Sequence, residues 1–179
     1  AGLTQRIVRL CAAIVGDIKG GLAIVAVMSC LLFGALSGSG VADVVAIGSL
    51  LLPAMARAGY DKGFSCALVG CAGTTATIVP PSIVLIIYGT TTNTSVGKLF
   101  MAGIVPAVLL SLSLICIAVW QARKYNWSGG NPFEWAELRA ALLDAVPALM
   151  VPVLIIGGIR LGIFTASEAA SSAIVYSLF

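Results

Sequence analysis

Charged residues are so sparse along this chain that their positions mark out its elements. From Gly20 to Pro53 the only charge is Asp43, and from Gly63 to Gly89 there is none. Leu99 to Trp120 is a third uncharged run, and Ala145 to Phe164 is a fourth that holds only Arg160. Crossing the hydrocarbon of a bilayer takes about 20 apolar residues, so each run reads as membrane-embedded helix. Ahead of them, Leu3, Ile7, Leu10, Ile14 and Ile18 recur at helical spacing among Arg6, Arg9, Asp17 and Lys19. That pattern predicts an amphipathic, interfacial helix over residues 1–19.

Two of the runs are interrupted. The first would be about 50 Å long as a single helix of about 34 residues, too long for one crossing and too short for two. Its length suits a re-entrant helical hairpin over residues 20–56. The helix-breaking "SGSG" (Ser37 to Gly40) would form its tip. Lys19 before it and Arg57 and Lys62 after it would hold both ends on the cytoplasmic face. A single tilted helix, kinked at the glycines, is the other reading. Residues 63–89 read as a transmembrane helix broken by "TIVPPS" (Thr77 to Ser82). Pro80 and Pro81 lack N–H groups and would free the carbonyls of Ala76 and Thr77. Hydrocarbon tolerates free carbonyls only where they line a cavity or meet a ligand.

The remainder reads more simply. "GTTTNTSVGK" is polar and turn-like, on the outer side, and residues 97–122 form a plain transmembrane helix. Trp120, Tyr125 and Trp127 suggest an interfacial belt. Residues 123–144 read as a cytoplasmic loop and amphipathic helix. Asn131 would be its N-cap, with Pro132 and Glu134 in the first turn and Phe133, Leu138 and Leu142 on the apolar face. Residues 145–164 form the next crossing, with Arg160 snorkelling or paired near its outer end. Residues 165–179 start a further transmembrane helix, opened by a Thr165–Glu168 capping box. The chain lacks a signal peptide and an initial Met and ends within "SSAIVYSLF", so it is expected to be an internal piece of a longer membrane protein.

Composition agrees with the pattern. The chain is 60% hydrophobic and 9% charged, with a mean hydropathy of +1.09. Soluble domains carry roughly 45–50% apolar and about 25% charged residues. The expected fold class is therefore an all-α polytopic membrane protein. The net charge of +3 comes from residues flanking apolar runs, which is a topology signal and gives no reason to expect nucleic acid. With no histidine, His-based metal sites and catalytic triads are excluded. The five cysteines show no CxxC spacing and read as small buried residues. No acid pair at i,i+4 lies in an apolar run, so an intramembrane enzyme has no support, and no organic cofactor is expected.

Two broken segments in succession are the pattern by which secondary transporters build mid-membrane sites. A purely structural subunit would not need them. Half-helix N-termini favour anions. Unwound carbonyls and the hydroxyls of Ser37, Ser39, Thr74, Thr75, Thr77 and Ser82 are hard oxygen ligands suited to a small cation such as Na⁺. Gly38 and Gly40 permit close backbone approach and positive φ. Asp43 has two readings that stay open: a helix cap for the returning half-helix, or an ion-linked acid.

The blocks "FGALSGSGVADVVAIGSLLLPAM", "GTTATIVPPSIVLIIYG", "SVGKLFMAGIVPAVLL" and "GIFTASEAASSAIVY" occur in order and with the spacing of a known family. The chain resembles the large membrane (M) subunit of tripartite ATP-independent periplasmic (TRAP) transporters. The resemblance implies an elevator-type transporter fragment holding the first of two inverted repeats and the start of the second, hence half of the binding site. It implies a multi-pass protein of the bacterial inner membrane acting as a Na⁺-coupled symporter. The cargo would be an organic acid: a C4-dicarboxylate, a sialic acid or a similar carboxylate. The partners would be a small four-helix membrane subunit and a periplasmic substrate-binding protein. Carried over to this chain, the cation-binding positions are Ser37, Gly38, Ser39, Gly73, Thr74, Thr77 and Pro80. The substrate-binding positions are Ser39, Gly40, Pro81 and Ser82. Many relatives have serine where Gly40 stands and glycine where Ala76 stands. Na⁺ is the only metal implied. A divalent anion/sodium symporter is the alternative, but its tips usually carry serine–asparagine–threonine motifs, unlike "SGSG".

Overall fold

The computed structural model describes residues 2–127 and 134–165, and beyond them 168, 171, 172, 175 and 176. Regular structure among these residues is entirely helical: α1 (Leu3–Val15), α2 (Gly21–Ser37), α3 (Gly40–Arg57), α4 (Lys62–Thr74), a single 3-10 turn (Thr75–Thr77), α5 (Ile83–Thr91), α6 (Val96–Tyr125) and α7 (Trp135–Arg160). By length and composition α3, α6 and α7 are apolar enough to cross a membrane, consistent with a polytopic membrane protein.

The apolar pattern decides which helix goes where. α2 carries no charge and is apolar on every side, so no face of it prefers water. It lies at the centre, against α1, α3, α4 and α6. α1 is two-sided and turns Ile7, Leu10, Cys11 and Val15 inward. α6 buries Gly103, Ala107, Ser111, Ala118 and Ala122, a row of small side chains that lets neighbours come close. A Cβ added at Gly20 would stand 2.7 Å from the Ala122 Cβ, and one at Gly103 would stand 2.5 Å from the Ile78 carbonyl oxygen. Between membrane helices, close packing of this kind replaces the hydrophobic driving force that water supplies elsewhere. The other side of α6 leaves Val105, Leu109, Leu112 and Trp120 exposed.

One end of the bundle, its base, gathers several termini. Asn126 caps α6 in the left-handed conformation, and its Oδ1 accepts a hydrogen bond from Lys19 Nζ at 2.7 Å, just before α2. Trp127 stacks on Tyr60 (4.6 Å between centroids) and meets Phe64 (5.0 Å). The start of α2, the end of α3 and the start of α4 therefore meet here. Trp127 is buried in this cluster rather than standing in an interfacial belt, whereas Trp120 and Tyr125 are exposed. α1 is tied to α7 by Arg9, which reaches Glu137 at 2.6 Å and Asp144 at 3.1 Å.

Two expectations change. The amphipathic helix ending at residue 144 and the crossing of residues 145–164 are one helix, α7, from Trp135 to Arg160. Pro147 and Pro152 lie inside it without ending it, and Glu137 and Asp144 in its first half are engaged by Arg9 of α1. Glu134 takes the N-cap position instead of the first turn, while Asn131, Pro132 and Phe133 lie outside the described residues. The hairpin arms are also longer than half-helices. At 17 and 18 residues they measure about 26 and 27 Å, because only Gly38 and Ser39 between them are non-helical. Further on, the Thr165 N–H donates to Glu168 at 2.8 Å, and the Glu168 N–H points back to the Thr165 hydroxyl at 3.4 Å. This is a capping box.

Candidate functional site

The site forms where the α2–α3 turn meets the chain between α4 and α5. Gly38 ends α2 at φ 60°, and its N–H donates to the Gly34 carbonyl at 2.8 Å. Glycine adopts this left-handed C-cap without steric cost. Ser39 is extended and opens α3. A Cβ at Gly38 would lie 2.8 Å from the Pro81 carbonyl oxygen and 3.3 Å from the Ile83 nitrogen. One at Gly40 would lie 2.8 Å from the Gly73 carbonyl oxygen. The hairpin tip thus touches the α4–α5 connection backbone to backbone.

Four helix ends converge there. The C-termini of α2 and α4 present carbonyls and partial negative charge, and the N-termini of α3 and α5 present N–H groups and partial positive charge. Chain between the helices supplies its own partners. The Ser82 hydroxyl donates to the Thr77 carbonyl at 2.6 Å, and accepts from the Leu85 N–H at 3.4 Å to cap α5. The hydroxyls of Thr74, Thr75 and Thr77 donate to the carbonyls of Cys71, Ala72 and Thr74 at 2.6–2.7 Å. Each donated proton leaves the hydroxyl lone pairs free to accept or to ligate.

Asp43 lies behind the tip with 0% exposure. The Ser37 hydroxyl donates to its Oδ1, the only hydrogen bond to the carboxylate among the described residues. Oδ2 is buried without a partner and faces Gly34, where an added Cβ would stand 3.1 Å from it. The same Cβ would stand 2.7 Å from the Ala76 Cβ. Asp43 stands in the first turn of α3, whose N-cap Ser39 makes no side-chain cap hydrogen bond. Its carboxylate ties α3 across to Ser37 at the end of α2. A buried polar atom with no partner costs about 1–3 kcal/mol, more when charged.

Beside the tip a groove of about 530 Å³ opens between α3 and α4–α5, and Asp43 is not part of its lining. Gly38, Ser39, Gly40, Thr74 and Thr77 line it, with Val41, Val44, Val45, Ile83 and Val84 as walls. Ser37, Gly73, Pro81 and Ser82 stand outside that lining. Pro80 is buried in the connection, one residue before the carbonyl that meets the tip. Gly34 escaped sequence reasoning, although its place one turn before Gly38 on α2 was a signal for close approach.

The family described as "Tripartite ATP-independent periplasmic transporter, DctM component" matches residues 1–179. The chain belongs to that family. Within it, the chain is 45% identical to a C4-dicarboxylate TRAP transporter large permease protein of Vibrio cholerae over 99% of its own length and 39% of that protein. It is 43% identical to an isethionate TRAP transporter permease protein of Oleidesulfovibrio alaskensis, covering 99% of the chain and 28% of the relative. It is also 43% identical to an ectoine TRAP transporter large permease protein of Halomonas elongata, covering 97% and 41%. The chain therefore spans about two-fifths or less of these relatives. All three are named as transporter permeases, and the match leaves the divalent anion/sodium symporter alternative without support.

Proposed function

We propose that this chain carries one half of the ion and substrate site of a Na⁺-coupled importer of small organic acids in a bacterial inner membrane. The observation that carries the reading is the unpartnered Oδ2 of the buried Asp43, set beside the converging ends of α2 and α4. A small hard cation prefers such oxygens and would neutralise a charge that a low-dielectric site otherwise penalises. Ser37, Ser39, Thr74 and Thr77 add hydroxyl oxygens, and Gly38, Gly73 and Pro80 belong to the backbone around them.

An anionic cargo would enter the groove against Ser39 and Gly40, toward the N-termini of α3 and α5. Pro81 and Ser82 hold the start of α5 in place for it. With Asp43 uncompensated, an incoming carboxylate would meet a like charge in a poor dielectric. With a cation seated first, it would meet a neutral or positive site, and that order is the coupling. Relatives named for C4-dicarboxylate, isethionate and ectoine resemble this stretch about equally, which supports a shared ion device more than a cargo filter. A carboxylate remains the proposed cargo class.

The hairpin is proposed to be re-entrant, since both of its open ends lie at the base by Asn126 and Trp127. The transport domain would move as an elevator against a small four-helix membrane subunit, with cargo delivered by a periplasmic binding protein. The exposed apolar side of α6 fits contact with such a subunit or with lipid. The test is uptake by the full-length transporter reconstituted with its companion subunits. Ser37→Ala, Ser39→Ala and Pro80→Ala should each weaken Na⁺-dependent uptake, and unchanged Na⁺ dependence in all three would overturn the assignment.

A further inference from the structure

The fold sorts the ten Lys and Arg residues unevenly. Eight belong to the base. Arg6 and Arg9 reach the first part of α7, Lys19 reaches Asn126, and Arg57 and Lys62 flank the turn that holds Tyr60. Arg123 and Lys124 end α6, and Arg139 lies near the start of α7. The remaining two sit at the opposite ends of those same helices: Lys98 in the first turn of α6 and Arg160 at the last residue of α7. By the rule that basic residues stay on the cytoplasmic side, the base is cytoplasmic and these two are translocated.

Both translocated cations line one cavity of about 420 Å³ between the ends of α6 and α7. No acidic side chain lines it. Among the described residues both ion pairs are made by Arg9, so neither Lys98 nor Arg160 has an acidic partner. The cavity does not end in a polar floor. Met101 and Ile156 form its walls, and apolar residues continue along the same helix faces. Lys98, Met101 and Val105 are spaced i, i+3, i+7 on α6, and Arg160, Ile156 and Val153 mirror them on α7. Met101, Val105 and Val153 are exposed. The result is a cationic mouth leading into an open apolar track.

We propose that this cavity seats the phosphate of an anionic phospholipid from the outer leaflet, with an acyl chain laid along Met101 and Ile156. A free anion or an acidic protein surface would use the two charges but has no use for the track. Basic pockets between membrane helices suit phospholipid headgroups for the same electrostatic reason. The site is separate from the hairpin tip and does not depend on its function.

The test is native mass spectrometry of the full-length transporter with its companion subunits, titrated with phosphatidylglycerol or with phosphatidylcholine of the same chains. The expected result is a preference of about tenfold or more for phosphatidylglycerol. Lys98→Gln with Arg160→Gln should abolish the preference, each single change should reduce it, and Lys98→Arg should retain it. If the double variant does not fold, the two single variants and the arginine replacement carry the test. Equal binding of both lipids overturns the proposal, as does a preference that survives the substitutions. Displacement of phosphatidylglycerol by millimolar inorganic phosphate would show a free-anion site and also overturns it. So would a double variant that keeps its lipid preference but loses the uptake driven by the periplasmic binding protein, since that marks a protein-docking surface.

Discussion

The base of the bundle and the tip of its hairpin handle polar groups in opposite ways. At the base, Arg9 meets both Glu137 and Asp144, Lys19 meets Asn126, and an aromatic cluster around Trp127 fills the space between helix ends. The side chains of Arg9 and Glu137 remain 47% and 46% exposed, so water and salt screen the pair and little stability rests on it. At the tip, a carboxylate with no exposure keeps one oxygen without a partner. The base is complete as it stands. The tip keeps a buried carboxylate oxygen without a partner among the described residues, and the proposed cation site rests on that difference.

Four substitutions test the contrast. Trp127→Ala should have the largest effect, a loss of about 3–5 kcal/mol for a buried aromatic. It should appear as a lower melting temperature of the full-length transporter, with the Na⁺ dependence of the remaining folded protein unchanged. Asp43→Asn should do the reverse. It should raise the Na⁺ concentration for half-maximal uptake about a hundredfold, equivalent to roughly 2.7 kcal/mol, without lowering the melting temperature. An unaltered Na⁺ requirement in that variant would erase the distinction. Gly38→Ala lies between, because a Cβ there requires a left-handed backbone and would collide with the Pro81 carbonyl. A cost of about 1–3 kcal/mol is expected, read as a lower melting temperature accompanied by weaker uptake. Arg9→Gln should be smallest, with melting temperature and uptake both indistinguishable from the parent. A large drop in either would mean that the base does more than hold α1 against α7.

The sequence made some of this legible and hid the rest for identifiable reasons. Uncharged runs marked the helices because charge in hydrocarbon is costly, and "SGSG" marked the α2–α3 turn because glycine is the residue that reaches φ 60° at position 38 without strain. The prolines indicated where α4 and α5 separate. Asp43 stood out as the lone acid in its run, but its partner did not, since pairing with Ser37 depends on how tightly the tip folds back. Gly34 was silent for the same reason: its importance lies in Ala76, 42 positions further along the chain. The continuity of α7 was obscured by Glu137 and Asp144, which look like the edge of a membrane segment until Arg9 is placed beside them. Local pattern reports which residues avoid water. It does not report which of them meet.

Because the tip and the α4–α5 connection touch through glycines and main-chain atoms, their separation owes little to side-chain identity. The valines and isoleucine that wall the groove stand in front of that frame and do not set it. Exchanging Val41, Val45 or Val84 for a smaller or larger neighbour would alter the room for a guest while leaving the seat behind it in place.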